Sequence, residues 1–385
     1  MKIANHIILL SSIILSTVYA ITFNYNSTYP FDISKRSESD QSMYYYYEQL
    51  HSYEKKIYDE LREQIEIGLQ NGHPLYDFVV YNIELHSESD ASVAGFRATS
   101  AFVMDNPKYF WIGRGNQQSI TTLGNHIKEL SISFKRSYPE ENIISMLNQV
   151  NNNIADILTE VSALPSTCEQ LQRIHDYLIK KVVYQYGEEY SRYNLYGALV
   201  DNASVCEGYA EAFTYICQQL GILSIIVNSE THEWNLVKMD NGQWYAMDIT
   251  YDDPKINNME FVSGDDNNKK YDYFLIGKNS KITNDSKKMV YKDSEEHQIL
   301  DYLLVESSTG FEFPEVADEA YDCPIKKRTN YINDFYVPNL RLYIYILIGI
   351  MTLFVVCIIL MCIKSRVNKH KRRRLERSSL YDNAF

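Results

Sequence analysis

A chain of 385 residues with 37 basic and 50 acidic side chains carries a net charge of −13, and 45% of its residues are hydrophobic. That length allows one large domain or two modest ones, with enough apolar content for a packed core. So acidic a balance excludes non-specific nucleic-acid binding, which needs a cationic surface.

The chain opens with Lys2, an apolar run over 7–15 and then Val18-Tyr19-Ala20. This is the layout of a secretory signal peptide, 1–20, too short to span a bilayer; a retained signal anchor is the competing reading. Residues 21–39 are polar and read as a flexible mature terminus. From Asp40, a residue suited to a helix cap, Tyr46, Leu50, Tyr53, Ile57, Leu61, Ile65 and Leu69 recur at three- and four-residue spacing. They predict one long helix that Asn71-Gly72 ends. Residues 78–85 predict a strand, 91–104 a helix, 105–112 a turn feeding an aromatic strand, and 127–134 another strand. Residues 140–161 are helical in pattern, interrupted at Asn151-Asn152-Asn153. Together these make an N-terminal α+β subdomain over 40–160. Thr167-Cys168-Glu169-Gln170 has capping-box spacing and opens a helix through Leu171, Ile174, Leu178 and Val182.

The stretch 204–254 carries the chemistry. Ser204 and Glu207 have the spacing of a second capping box, which makes Ser204 the N-cap and puts Cys206 in the first helical turn. Unpaired backbone N–H groups and the positive helix end there favour thiolate over thiol. The helix body is apolar at Val205, Tyr209, Ala212, Phe213, Ile216 and Leu220, and Gly221 stops it. A β-branched strand follows over 222–227, then a strand over 232–237. Asn241-Gly242 between apolar runs signals a hairpin into a strand over 244–250. In that hairpin His232 and Asp248 lie on neighbouring strands, within reach of each other. A helix-borne cysteine, a histidine base and an orienting aspartate are what nucleophilic amide chemistry requires.

Here a resemblance becomes specific. Val205-Cys206-Glu207-Gly208-Tyr209-Ala210-Glu211-Ala212-Phe213, His232-Glu233-Trp234-Asn235 and the run from Trp244 through Asp248 to Pro254 look like the three motifs of the transglutaminase-like superfamily. The likeness is to the branch common in bacteria and lower eukaryotes, not to animal transglutaminases. It extends upstream through Ile174-His175-Asp176-Tyr177-Leu178 and Tyr196-Gly197-Ala198-Leu199-Val200, and downstream to Tyr273-Phe274-Leu275. A preamble with an aspartate-proline-aromatic segment like the one at 105–112 also precedes the core in that branch. The resemblance implies a papain-like α+β core over 161–300, with Cys206, His232 and Asp248 as the catalytic triad.

Each residue also has a plainer reading. A cysteine on an apolar helix is usually buried and inert, the reading given to Cys217; His232 alone could be a packed histidine and Asp248 a strand-end acid. Gly208, Tyr209, Trp234 and Asn235 are candidates for the cleft, though Trp234 and Trp244 read more naturally as core and cleft wall than as substrate readers. Asp252-Asp253-Pro254 reads as a turn. For an oxyanion, the Cys206 backbone N–H and the Tyr184 hydroxyl are the candidates.

Past the core, Asp265-Asp266-Asn267-Asn268-Lys269-Lys270 lacks the glycine and closing glutamate of a calcium loop, and no His/Cys cluster has zinc spacing. Neither a metal nor a cofactor is expected. Residues 301–341 read as an acidic, proline-containing stalk. Residues 342–363, from Leu342 to Ile363, are 22 residues without a charge, enough to cross a bilayer of about 30 Å. The tail 364–385 holds eight basic and two acidic residues. Its charge makes it cytoplasmic, giving a single-pass type I protein whose tail attracts anionic lipid.

With +6 in the tail and +1 in the signal, residues 21–363 carry −20. Such a domain would attract cationic partners, lysine-rich proteins or polyamines among them; simple solubility is the plainer reading. Outside the membrane lie Cys168, Cys206, Cys217 and Cys323. With Cys206 reduced and Cys217 buried, a disulfide between Cys168 and Cys323 would tie stalk to core. Glycan acceptor sequences stand at Asn26, Asn202 and Asn284. The expected function is a membrane-anchored extracellular enzyme acting on protein amides through a cysteine thioester, with an amine or water as acceptor. A cysteine peptidase of the same fold and a catalytically idle adhesion or scaffold ectodomain are the alternatives.

Overall fold

The computed structural model describes residues 43–253, 270–284, 287–300 and 310–323. The signal peptide, residues 21–39 with Asn26, most of the acidic loop at 265–270, the apolar stretch 342–363 and the basic tail lie outside the described residues. Among the described residues no helix is long and apolar enough to cross a membrane.

The apolar spacing that begins at Tyr46 is used by two elements instead of one helix. Tyr47–Gln49 is a single 3-10 turn, and Leu50 is extended (ψ 145°). α1 starts only at Ser52 and runs to Gln70. The break has a cause: the buried Asp105 carboxylate accepts from the backbone N–H groups of Tyr46 (3.2 Å) and Tyr47 (2.8 Å). His51 then caps α1, its N–H donating to the Glu54 side chain at 2.7 Å. β1 (Asp77–Ile83) and α2 (Glu88–Asp105) follow.

The aromatic stretch after α2 is not a strand. Pro107–Tyr109 is a 3-10 turn, and Tyr109, Phe110, Trp111 and Ile112 are all buried as a plug. The next strand is β2 (Asn116–Leu123), an element the sequence reading did not contain. It pairs antiparallel with β3 (His126–Phe134), and the sheet order is β1-β3-β2. β2 is an edge strand facing mostly outward, so its polar sequence lacks an apolar face.

α3 (Glu140–Ser162) runs unbroken through the asparagine triplet. Asn151 accepts from the Tyr215 hydroxyl (2.7 Å) and Asn153 donates to the Leu199 carbonyl (2.8 Å). The asparagines dock the helix on the core and do not end it. α4 (Thr167–Lys181) is capped by Ser166, one residue before the expected box, with Ser166 accepting from the Glu169 N–H at 3.2 Å. A two-stranded parallel pair, β4 (Val183–Tyr184) and β5 (Ala203–Ser204), encloses a π-helical turn at Gly197–Asp201. α5 (Cys206–Gln219) then packs on an antiparallel sheet of order β6-β7-β8, formed by Ser224–Asn228, Glu233–Lys238 and Trp244–Met247.

Two further corrections bear on the site. β8 ends at Met247, and Asp248 caps a short helix, Ile249–Asp252, where a strand was expected to continue. Residues 310–323, expected as stalk, are part of the packed unit. Gln49 holds Glu312 by both backbone groups (2.7 and 3.1 Å), Phe311 is buried, and Val316 bridges to Trp244 beside β8. Cys168 at the start of α4 and Cys323 form a disulfide, with Cα atoms 5.9 Å apart. The N-terminal elements and the core share one hydrophobic cluster.

Candidate active site

Cys206 opens α5, but Ser204 does not cap it. The Ser204 hydroxyl donates instead to the Arg192 carbonyl (2.7 Å), and Val205, with extended backbone, is the N-cap. Gly208 allows this arrangement. A Cβ there would lie 1.9 Å from the Ser204 Oγ and 2.6 Å from the Asn194 carbonyl, so the chain can cross only over glycine. On the other side Asn235 of β7 donates to the Ala210 carbonyl (3.2 Å) and the Thr214 hydroxyl (2.9 Å) of α5. That tie sets the head of β7 beside the start of the helix. A tight turn completes the placement: the Ser229 N–H donates to the His232 carbonyl, and the His232 N–H to the Ser229 hydroxyl.

His232 Nε2 lies 2.6 Å from Asp248 Oδ2, and both residues are buried. Nδ1 is therefore the ring nitrogen left for proton exchange. Trp234 stacks on the His232 ring at 5.7 Å between centroids and 9° between planes. The other Asp248 oxygen accepts from the Tyr251 N–H at 3.1 Å, and its backbone N–H donates to the Tyr273 carbonyl. His297 supplies a second imidazole, with Nε2 2.9 Å from the same Oδ2. Ser294 stands 2.9 Å from His297 Nδ1, an arrangement that suits Nε2–H as donor to the carboxylate. His232, Asp248 and His297 offer possible metal-ligand atoms within 4.8 Å of one another. Those atoms, however, already face each other as hydrogen-bond partners.

The surroundings push the His232 and Cys206 titrations in the same direction, upward. Burial would pull the His232 imidazolium down, but the Asp248 carboxylate outweighs it and the net shift is upward. Burial opposes Asp248 ionisation, yet the two imidazoles hold its carboxyl well below the usual carboxylate range. Burial pushes the Cys206 thiol well up, the Glu207 and Glu233 carboxylates push it further, and a hydrogen bond from the Glu233 backbone offsets only part. Glu207 Oε2 is 3.5 Å from the sulfur. Burial and two neighbouring carboxylates thus act against the thiolate that the helix start, through its dipole, favours.

Residues 155–249 match the model of the transglutaminase-like superfamily core, a segment that contains all three motif residues. This part of the chain is a transglutaminase-like core. No curated protein matches. Among solved structures, a transglutaminase is similar at 12% identity over 39% of this chain and 45% of that one, with a TM-score of 0.24. A candidate cysteine protease from Cytophaga hutchinsonii is similar at 14% identity, over 35% of this chain and 62% of that one (TM-score 0.23). The periplasmic domain of TgpA from Pseudomonas aeruginosa, bound to ethylmercury, is similar at 14% identity over 36% and 64% (TM-score 0.21). The chain spans about half to two thirds of the length of these structures.

Within the transglutaminase-like core the remaining candidates divide. Tyr184 is near enough to Cys206 for the sulfur's charge to push its hydroxyl up, after burial and a bond to Tyr186, and it donates to the Tyr186 hydroxyl at 3.1 Å. Tyr209 is a packing residue, its hydroxyl donating to Asp253 at 2.6 Å. Gly208 and Asn235 join elements, as described, and Trp234 donates to the Tyr291 hydroxyl (3.0 Å) from a buried position. Cys217 is buried in α5. Asn202 is exposed with φ 58°, and Asn284 ends β9 (Lys281–Asn284). Asp252 ends the short helix after Asp248 and also binds the buried His175 at 3.1 Å and the Tyr273 N–H.

Sequence reasoning missed four residues around this site: His297, Ser294, Arg114 and Glu233. Arg114 lies in the loop before β2, and its guanidinium forms a close ion pair with the buried Glu233 carboxylate. Burial pushes the Glu211 carboxyl up to about 8 although Arg114 opposes this, and Glu211 accepts from the Leu195 N–H at 3.0 Å. Ser294-x-x-His297 is a short polar spacing that a search for imidazoles beyond the core could have flagged. No local signal marks Arg114.

Proposed function

We propose that this protein is a membrane-anchored, outward-facing enzyme that acts on protein amide groups through Cys206. The observation that carries the reading is the buried His232–Asp248 hydrogen bond of 2.6 Å, within a transglutaminase-like core whose helix-start Cys206 is hydrogen-bonded by the backbone of Glu233, the residue after His232. His232 Nδ1 takes the thiol proton as Cys206 Sγ attacks the carboxamide carbon. The tetrahedral intermediate collapses to a thioester as the same proton goes to the leaving nitrogen. An acceptor then loses its proton to His232 and attacks the thioester, freeing the sulfur, which recovers the proton. Asp248 stays ionised throughout and stabilises each imidazolium. A primary amine as acceptor gives crosslinking and water gives deamidation; on a peptide bond the same steps give cleavage.

Location rests on the apolar stretches at 1–20 and 342–363 and the basic tail. The Cys168–Cys323 disulfide supports the same reading, because such bonds persist in oxidising compartments. The decisive experiment incubates the protein with a glutamine-bearing protein and a labelled primary amine, with Cys206→Ser as control. Amine incorporation, ammonia release without incorporation, and chain cleavage identify the three acceptor outcomes. None of the three, with Cys206 alkylated by iodoacetamide no faster than Cys217, leaves the idle scaffold.

A further inference from the structure

The sulfur of Cys206 faces an acidic neighbourhood. Glu207 from its own helix lies 3.5 Å away, and Glu233 presents both its backbone and its charge from the head of β7, one residue after His232. Glu211 lies one turn further along α5, and Tyr184 approaches from β4. A guanidinium answers the charge nearest the sulfur: Arg114 contacts Glu233 and lies within electrostatic reach of Glu207 and of the Glu211 carboxyl. The Glu233 side chain is only 2% exposed, so removing its partner would strand a buried charge.

Arg114 does not belong to the matched core at 155–249. It comes from the N-terminal subdomain, in the loop that joins the buried aromatic plug to β2. The plug fixes where that loop leaves: Phe110 packs its ring on Tyr138 and Tyr196 at 5.6 and 5.4 Å. Gly113 lets the loop pass close to the core, since a Cβ there would meet the Tyr190 hydroxyl at 2.7 Å.

We propose that Arg114 is a positioning residue of the transglutaminase-like site: the N-terminal subdomain inserts its guanidinium against Glu233, holding the His232–Glu233 strand head in place and cancelling negative charge beside Cys206. The subdomain is thereby a working part of the site, not only a support for the fold. The inference rests on the proposed role of Cys206 as nucleophile with His232 as base.

The test is the pH dependence of Cys206 alkylation by iodoacetamide, read by mass spectrometry on the full chain with Cys217 as internal reference. Arg114→Gln is expected to slow alkylation at pH 7 about tenfold and to raise the midpoint of the rate profile by about one pH unit. Arg114→Lys should retain most of the wild-type rate. Arg114→Gln combined with Glu233→Gln removes both members of the pair, leaves no stranded charge, and should return the midpoint to the wild-type value. An unchanged midpoint in Arg114→Gln, or a midpoint in the double variant as high as in the single one, overturns the proposal. His232→Gln separates this from the underlying reading. If that variant leaves Cys206 alkylation unaltered, the nucleophile–base assignment fails whatever Arg114 does.

Discussion

His297 and His232 share one acceptor atom, Asp248 Oδ2, at 2.9 and 2.6 Å. The carboxylate is thus gripped from two sides, with Tyr251 N–H on its other oxygen, and can neither rotate nor take a proton easily. His297→Phe fills much of the same space between Trp234, Tyr251, Tyr273 and Tyr291 while removing one grip. A hydrogen bond to a charged group is worth about 1.5–3 kcal/mol. The expected result is a fall of about ten- to a hundredfold in kcat/KM with KM little changed, measured on a glutamine-bearing substrate. Full activity in a folded His297→Phe protein would mean that Asp248 is held well enough without it.

The rate profile with pH has a definite sign. His232 titrates above its ordinary range because Asp248 outweighs burial, and the Cys206 thiol titrates well above its own. The productive form carries one proton across the pair, so kcat/KM should rise with pH through a value above 6.5 and hold into the alkaline range. Glu207→Gln removes a carboxylate 3.5 Å from the sulfur. It should speed Cys206 alkylation at pH 7 by about three- to tenfold, given the modest strength of partly solvated charge pairs. A slower rate in that variant would indicate that Glu207 serves the thiol and does not oppose it.

Glu211 gives a stability prediction. Its carboxyl is pushed up to about 8 in the folded chain, against an ordinary value of 4.5. The folded state therefore holds a proton that the unfolded state has lost between those values, and stability falls as pH rises across that window. Glu211→Gln keeps the acceptor for the Leu195 N–H and has no proton to lose. Its Tm should match wild type near pH 5 and exceed it at pH 9, checked by thermal unfolding at both values. A Tm difference independent of pH would contradict the assignment of a protonated Glu211.

Removal of the Cys168–Cys323 bridge is the fourth test. It closes a loop of 155 residues, and native disulfides typically contribute about 2–5 kcal/mol. Cys168→Ser with Cys323→Ser should lower the denaturant midpoint accordingly while leaving Cys206 alkylation at its wild-type rate, because the groups that act on that sulfur are Glu207 and Glu233. Loss of Cys206 reactivity in a folded double variant would show that the bridge also shapes the cleft.

Cys206, His232 and Asp248 were legible as candidates because each lies inside a local pattern: a helix start, a strand head, a hairpin after Asn241-Gly242. The strands of the second sheet and the helices around them were legible through periodicity for the same reason. What escaped depends on chain closure. Ser204 has the spacing of a cap, but Arg192 claims its hydroxyl, and the capping box is not made. Helix-start logic favours a thiolate at Cys206, but Glu233 and the depth of the site exist only after folding. Arg114 and His297 are ordinary residues until tertiary contacts bring them to Glu233 and Asp248. β2 was invisible because an outward-facing edge strand has no apolar face to announce it.

The clasp over residues 310–323 also has a mechanical side. Tension applied to the chain beyond Cys323 would reach the covalent bond to α4 before it reached the contacts of Val316 with Trp244 or of Glu312 with Gln49. The load would pass into the helix that carries Cys168, and the strand bearing the route to Asp248 would stay slack. Under shear, the oxidised protein would thus keep the His232–Asp248 geometry after the reduced one had begun to peel from its edge.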